Sequence, residues 1–265
     1  MAEIVFETNE TRKSRTSGIL WGLAKCGKTT FLTGLPGKKL FVLFDPDGDQ
    51  SLPDHEDITI LRLYEQSDDL ILRYATNTLP TILRKGEYDS VIYDSLSTLG
   101  QIALMQAIKD KIGESKIFTP SIEAPGLSAY GARTANIVNI VSRALRATGA
   151  VGAHCWFTSH EDEPKTDDKG NFLHITLTLS GKASSQVGLN VSEIWHMSVN
   201  DGKWRIMVAP GRGKKPMGSR MFDVTGSTEF VLRFDPAKGE HQEHSIAQWF
   251  NKWIEGGRQK LPVPK

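Results

Sequence analysis

The chain has 265 residues, 39% of them hydrophobic and 24% charged, with a net charge of +1. That length suits one large α/β domain whose core needs no disulfide or metal, and the balanced charge names no partner. Cys26 and Cys155 lack framework spacing, no apolar run approaches ~18–20 residues, and the N-terminus has no apolar signal core. Secretion and membrane insertion are therefore set aside, and a cytoplasmic chain with reduced thiols is expected.

Residues 1–15 read as an N-terminal segment and a candidate oligomerisation arm. Residues 17–21 (SGILW) form a first expected strand, followed by a short helix over 28–34 that Pro36 and Gly37 stop. Two apolar runs, 39–44 and 58–63, read as the second and third strands; such continuous runs suit a parallel sheet covered on both faces. Ser67-Asp68-Asp69 starts a helical span that Gly86 ends, and Pro80 within it predicts a kink or two short helices. Residues 89–94 (DSVIYD) are the next buried strand, a helix follows over 96–112, and 113–126 read as a loop. A helix over 132–148 presents Ile137, Val141, Ala144, Leu145 and Thr148 on one face, and 151–158 return as a strand.

The pattern changes after residue 160. Residues 161–171 read as a mobile polar loop, and strands are expected at 172–179, 191–199, 203–209 and 229–234, with a tight turn at 200–203. A closing helix near 245–254 carries Ile246, Trp249, Phe250 and Trp253 at helical spacing, and the tail from Gly256 is expected to be disordered. The fold class is therefore α/β, a mainly parallel sheet extended by antiparallel strands in the C-terminal third. The expected units are a domain over 16–235 and a C-terminal helix and flexible tail over 236–265.

Residues 22–29, GLAKCGKT, satisfy G-x-x-x-x-G-K-[ST] between a strand and a helix. Gly22 and Gly27 allow a curled backbone whose N–H groups converge on phosphate oxygens, and the helix start adds its positive end. Lys28 supplies a charge for the β- and γ-phosphates, and the Thr29 hydroxyl can ligate Mg²⁺. Gly22, Lys25, Cys26, Gly27, Lys28, Thr29 and Thr30 are thus the candidate ATP-binding set. Such a loop needs a second metal anchor, and Asp94, ending an apolar strand, supplies it. Asp45 and Asp47 follow the second strand at the same sheet edge, where ligands of open α/β sheets gather. Asp47 is the favoured carboxylate for polarising the attacking water, with Asp45 its competitor. Ser159 and His160 end a strand at that edge too, and His160 is a candidate γ-phosphate sensor.

This order of motifs resembles the RecA-like ATPase core, and more closely the small phage-encoded RecA-like ATP-binding proteins, some of which act in recombination or single-strand annealing. The resemblance spans roughly residues 16–223 and implies a RecA-like P-loop ATPase that uses ATP and Mg²⁺. It also implies a homo-oligomer, ring or filament, on single-stranded DNA, with a single-stranded DNA-binding protein as a further partner, in the bacterial host cytoplasm if phage-encoded. Asp47 falls where that family has its catalytic carboxylate; His160 stands where it usually has Gln. Residues 202–220 hold Lys203, Arg205, Arg212, Lys214, Lys215 and Arg220 and no acid besides. The resemblance makes Arg212 and Lys214 candidate fingers onto a neighbouring subunit's γ-phosphate, while Lys182, Lys214, Lys215 and Arg220 are candidate nucleic-acid contacts. Tyr130 and Phe172 flank the expected DNA loops, with core packing the favoured role for each. Competing readings are a ParA- or MinD-type partitioning ATPase, a small-molecule kinase, and a non-catalytic nucleotide switch that loads another protein on DNA. Leu23 stands where the partitioning group carries an extra lysine.

Overall fold

A computed structural model describes residues 14–111, 121, 124–179, 183–211, 213–235, 240–241 and 244–264. The strands run β1 (Ser17–Gly22), β2 (Lys39–Leu43), β3 (Ile58–Arg62), β4 (Ser90–Asp94) and β5 (His154–His160), then a short hairpin of β6 (Lys165–Thr166) and β7 (Phe172–His174). After these come β8 (Glu193–Asn200), β9 (Lys203–Met207), β10 (Gly218–Ser219), β11 (Phe222–Asp223) and β12 (Glu229–Val231). The pair β13 (Phe234–Asp235) and β14 (Glu240–His241) and the final β15 (Leu261–Pro262) complete the set. The main sheet has the order β12-β9-β8-β1-β5-β4-β2-β3, with β10 paired to β8. From β8 to β3 every pairing is parallel, and β9, β10 and β12 extend the sheet antiparallel.

The interior strands are buried on both faces, as their unbroken apolar runs require. Ile19 and Trp21 join one cluster and Leu20 the other, so side-chain alternation along β1 divides the core in two. On one face lie α2 (Asp68–Arg73), α3 (Leu79–Leu83), α4 (Leu96–Lys111) and α5 (Gly126–Val151), which supply Leu72, Leu79, Leu99, Ile137 and Val141. α6 (Ala183–Gly188) packs Ala183 and Val187 into that same cluster. The other face is covered by α1 (Lys28–Leu32) and α7 (Ile246–Glu255). There Trp249 meets Trp195, Phe222 and Phe230 at ring separations of 5.8, 5.4 and 5.3 Å. Ser245 caps α7, its hydroxyl accepting the Gln248 N–H at 3.2 Å.

The structure corrects some of these expectations and bears out others. α5 is longer at both ends than the span 132–148, because small residues such as Ala129 pack where apolar periodicity gives no signal. β5 accordingly begins at His154, after Gly152 ends the helix in a left-handed conformation (φ 81°). Pro80 opens α3, and a π turn at Tyr74–Thr78 joins it to α2, so the span is two short helices with a wide turn between. The expected strand 172–179 is only β7, and the polar loop before it folds as the β6–β7 hairpin, with Asp167 accepting the Lys169 and Asn171 N–H groups. The β8–β9 turn is Asp201-Gly202, both at positive φ, as a two-residue hairpin demands. The tail expected to be disordered is paired instead: β15 lies along β11, Val263 is buried, and Arg258 reaches Ser14. Most of the expected loop 113–126 lies outside the described residues.

Candidate functional site

β1 ends at Gly22 and α1 begins at Lys28, so the five intervening residues turn at the carboxyl edge of the parallel strands. Gly22 has no alternative there: a Cβ on it would lie 2.1 Å from the Met197 carbonyl oxygen of the adjacent β8. Gly27 has φ 90°, in the left-handed region that favours glycine. Cys26 is buried, its Sγ 3.6 Å from that same carbonyl, and burial pushes its thiol pKa up. Lys25 is exposed, like Leu23 and Ala24 before it, and takes a left-handed conformation at φ 60°. Lys28 is buried and its Nζ donates to the carbonyls of Leu23 (2.7 Å) and Gly22 (3.2 Å). Among the described residues no carboxylate holds this ammonium; it folds back on the loop that would frame a phosphate. Thr30, expected among the ATP-binding residues, turns its hydroxyl to the Ser51 carbonyl (3.2 Å).

Thr29 and Asp94, the residues expected to anchor a metal, are adjacent. Thr29 Oγ1 donates to Asp94 Oδ2 at 2.6 Å, and Thr158 Oγ1 donates to Asp94 Oδ1. Burial raises the Asp94 pKa, against the two hydroxyl bonds, which lower it. Thr158 was not among the sequence candidates: β4 and β5 run in parallel register with Tyr93 opposite Phe157, and the strand order alone brings it beside Asp94. Asp45 accepts a hydrogen bond from Thr98 Oγ1, while Asp47 is exposed at φ 63° with no side-chain bond among the described residues. The charge of Asp45 reaches both His160 and Asp94. His160 ends β5 opposite Gly22, and its backbone N–H donates to Ser97 Oγ at 2.8 Å. Its Nδ1 is buried without a hydrogen-bond partner among the described residues. Burial, and after it the Lys28 charge, lowers the His160 pKa. Hard oxygen donors from Thr29 and Asp94, a lysine with no acid partner and a loop that excludes a Cβ suit Mg²⁺ and a triphosphate.

A second charged cluster stands behind the loop. Glu161 donates its backbone N–H to the Gly22 carbonyl (3.0 Å), and its Oε2 lies 2.7 Å from His196 Nε2. Lys214 Nζ is 3.0 Å from His196 Nε2 and 3.5 Å from Glu161 Oε2. Burial pushes the Glu161 pKa up, but the His196 bond and the Lys214 charge outweigh it and hold the carboxyl below its usual range. Neither Glu161 nor His196 was singled out in the sequence, since the pair is 35 residues apart and meets only across β1. Lys214 therefore faces inward, while Lys203, Lys215 and Arg220 of the basic set are exposed. Arg212 and Lys182 lie outside the described residues. Tyr130 and Phe172, expected in the core, are 41% and 51% exposed, and the Phe172 ring lies against Gly213. Arg62 pairs with Asp49 at 2.6 Å and Arg73 with Asp69 at 2.6 Å.

The family model described as an AAA domain matches residues 14–238. Among solved structures, the chain is similar to the crystal structure of a KaiC-like protein from the hyperthermophilic archaeon Pyrococcus horikoshii, with 13% identity and a TM-score of 0.45 over 83% of this chain and 86% of that one. No curated protein matches the sequence. Among the described residues, no helix is long and apolar enough to cross a membrane.

Proposed function

The chain belongs to the AAA-domain family, a family of P-loop ATPases, and on that premise we propose a Mg²⁺-dependent, DNA-stimulated ATPase of the RecA-like class acting in recombination or single-strand annealing. The observation that carries the reading is the Thr29–Asp94 hydrogen bond at the mouth of the phosphate loop, two oxygen ligands already joined across α1 and β4. Lys28, Thr29 and the backbone N–H groups of residues 25–28 would hold the triphosphate, and Thr29 with Asp94 the Mg²⁺, which neutralises charge between the phosphates when bound. Lys28 would exchange its two carbonyl partners for phosphate oxygens, a change of partner that needs no new desolvation of a buried ammonium.

Asp47, exposed and without a competing bond, is the carboxylate we assign to the attacking water; Asp45, held by Thr98, orients its neighbours. Support for His160 as the sensor is its orphaned buried Nδ1 at the strand end opposite Gly22. The DNA-facing part of the proposal rests on the resemblance and on exposed Lys215 and Arg220, with single-stranded DNA as partner. Arg212 acts across a subunit boundary in this reading. Nucleotide turnover measured with single-stranded, duplex or no DNA is the test: several-fold stimulation by single strands supports it, and a rate indifferent to DNA removes the DNA-coupled part while leaving the ATPase.

A further inference from the structure

The phosphate loop occupies one end of β1. At the other end, beside Thr16, a cavity of about 300 Å³ is lined by Arg15, Arg220, Arg258, Trp253 and Glu193. β1 has six residues, so the two places are separated by roughly 20 Å of extended strand. The cavity is thus no extension of the nucleotide site.

Its chemistry is that of an anion receptor. Arg15 Nη1 donates to the Gly149 carbonyl at 3.2 Å, and Arg258 Nη2 to Ser14 Oγ at 2.6 Å. Both acceptors are neutral, and Arg220 has no side-chain bond among the described residues. Each guanidinium carries five N–H donors, so most of the donors around this cavity are unengaged. Glu193 in the wall makes no ion pair with any of them among the described residues. Its Oε2 accepts from Trp195 Nε1 (3.0 Å) and Ser219 Oγ (2.5 Å), its Oε1 from the Arg220 and Met221 backbone N–H groups (3.0 and 3.1 Å). Trp253 completes the lining of the cavity. Glu193 can offset at most one of the three like charges, so the excess positive charge favours an anion among them.

We propose that this cavity is a phosphate-binding site, distinct from the nucleotide site, in which Arg15, Arg220 and Arg258 hold a phosphate group. A terminal phosphate offers three oxygens and up to two charges, enough for more than one guanidinium fork, whereas a carboxylate offers two oxygens and one charge. The phosphate is carried by a nucleic-acid strand or by a free phosphorylated small molecule.

Calorimetric titration of inorganic phosphate into the full chain tests the site, in a Lys28→Ala background that weakens the phosphate loop. One site is expected, weakened by about tenfold or more when Arg15→Gln and Arg258→Gln are added. Arg258→Lys, which keeps charge but loses the fork, should fall between. Arg15→Gln alone, at an exposed side chain, serves if the double substitution fails to fold. On the otherwise native chain, Arg15→Gln leaves affinity for a non-hydrolysable ATP analogue unchanged, which separates this site from the loop reading. Displacement of the phosphate by a 5′-phosphorylated oligonucleotide assigns the strand as its source; displacement by a nucleoside monophosphate alone assigns the small molecule. Absent phosphate binding, binding indifferent to the arginines, or phosphate that neither competitor displaces would each overturn the assignment.

Discussion

Asp94→Asn separates two jobs of one buried carboxylate. Asp94 is 6% exposed and takes hydroxyl hydrogen bonds from Thr29 and Thr158. Burial raises its pKa in the folded chain. Over the interval between the unfolded and folded values, the folded chain holds the proton that the unfolded chain has already released. Its contribution to stability is therefore full below the ordinary carboxylate value and falls as pH rises through the folded one. At neutral pH the charge is held at a cost, which asparagine removes with nearly the same volume. Both threonine hydroxyls can rotate to suit an amide, so the ligand-free variant should lie within about 1 kcal/mol of the parent, or above it. With Mg²⁺ and ATP the order reverses. A ligand at 100 times its Kd adds ~2.7 kcal/mol, which at this chain length is roughly 5–10 °C in Tm. The parent should show that rise with ATP and Mg²⁺ together, and Asp94→Asn should lose most of its Mg²⁺-dependent part. Thermal unfolding followed by dye fluorescence at pH 7, with ATP and with or without Mg²⁺, reads both effects. A variant that keeps the full Mg²⁺-dependent rise, or unfolds many degrees lower without ligand, refutes the assignment of Asp94 as metal anchor.

Asp47→Asn should leave ATP-analogue affinity and Tm unchanged, since its exposed side chain has no bond among the described residues, while hydrolysis falls by about 10²-fold. Normal turnover would shift the base to Asp45. Arg212→Ala should lower turnover by ~10³-fold, and mixing it with Lys28→Ala subunits should restore part of the rate, because one interface then pairs an intact loop with an intact finger. A mixture without rescue removes the finger in trans. The Glu193 carboxyl, lifted by burial to about 7, should titrate near neutrality by ¹³C NMR. By the same sign argument, its contribution to stability declines as pH rises from 4.5 towards 7. A midpoint in the ordinary carboxylate range would contradict that environment.

The parallel core and the phosphate loop were legible because each rests on local information. Buried strands such as β2 and β4 are unbroken apolar runs, and the loop is a contiguous pattern whose lysine and threonine stand where it requires. Neighbourhoods created by strand order were not legible. Thr158 reaches Asp94 because β5 lies beside β4, and Glu161, His196 and Lys214 meet because β8 lies beside β1. Lys214 illustrates the cost: in sequence it belongs to an exposed basic run, yet its ammonium is half-buried against Glu161 and His196. The tail failed for a different reason, since Gly256-Gly257 and two prolines look like punctuation while Leu261 and Val263 dock on a face assembled elsewhere.

Steady-state ATP hydrolysis by the native chain and by Lys28→Ala, side by side with Mg²⁺ and single-stranded DNA, tests the central claim most directly. The account predicts Mg²⁺-dependent turnover by the native chain and turnover at background level in a Lys28→Ala protein that remains folded. Equal turnover by the two proteins would contradict it.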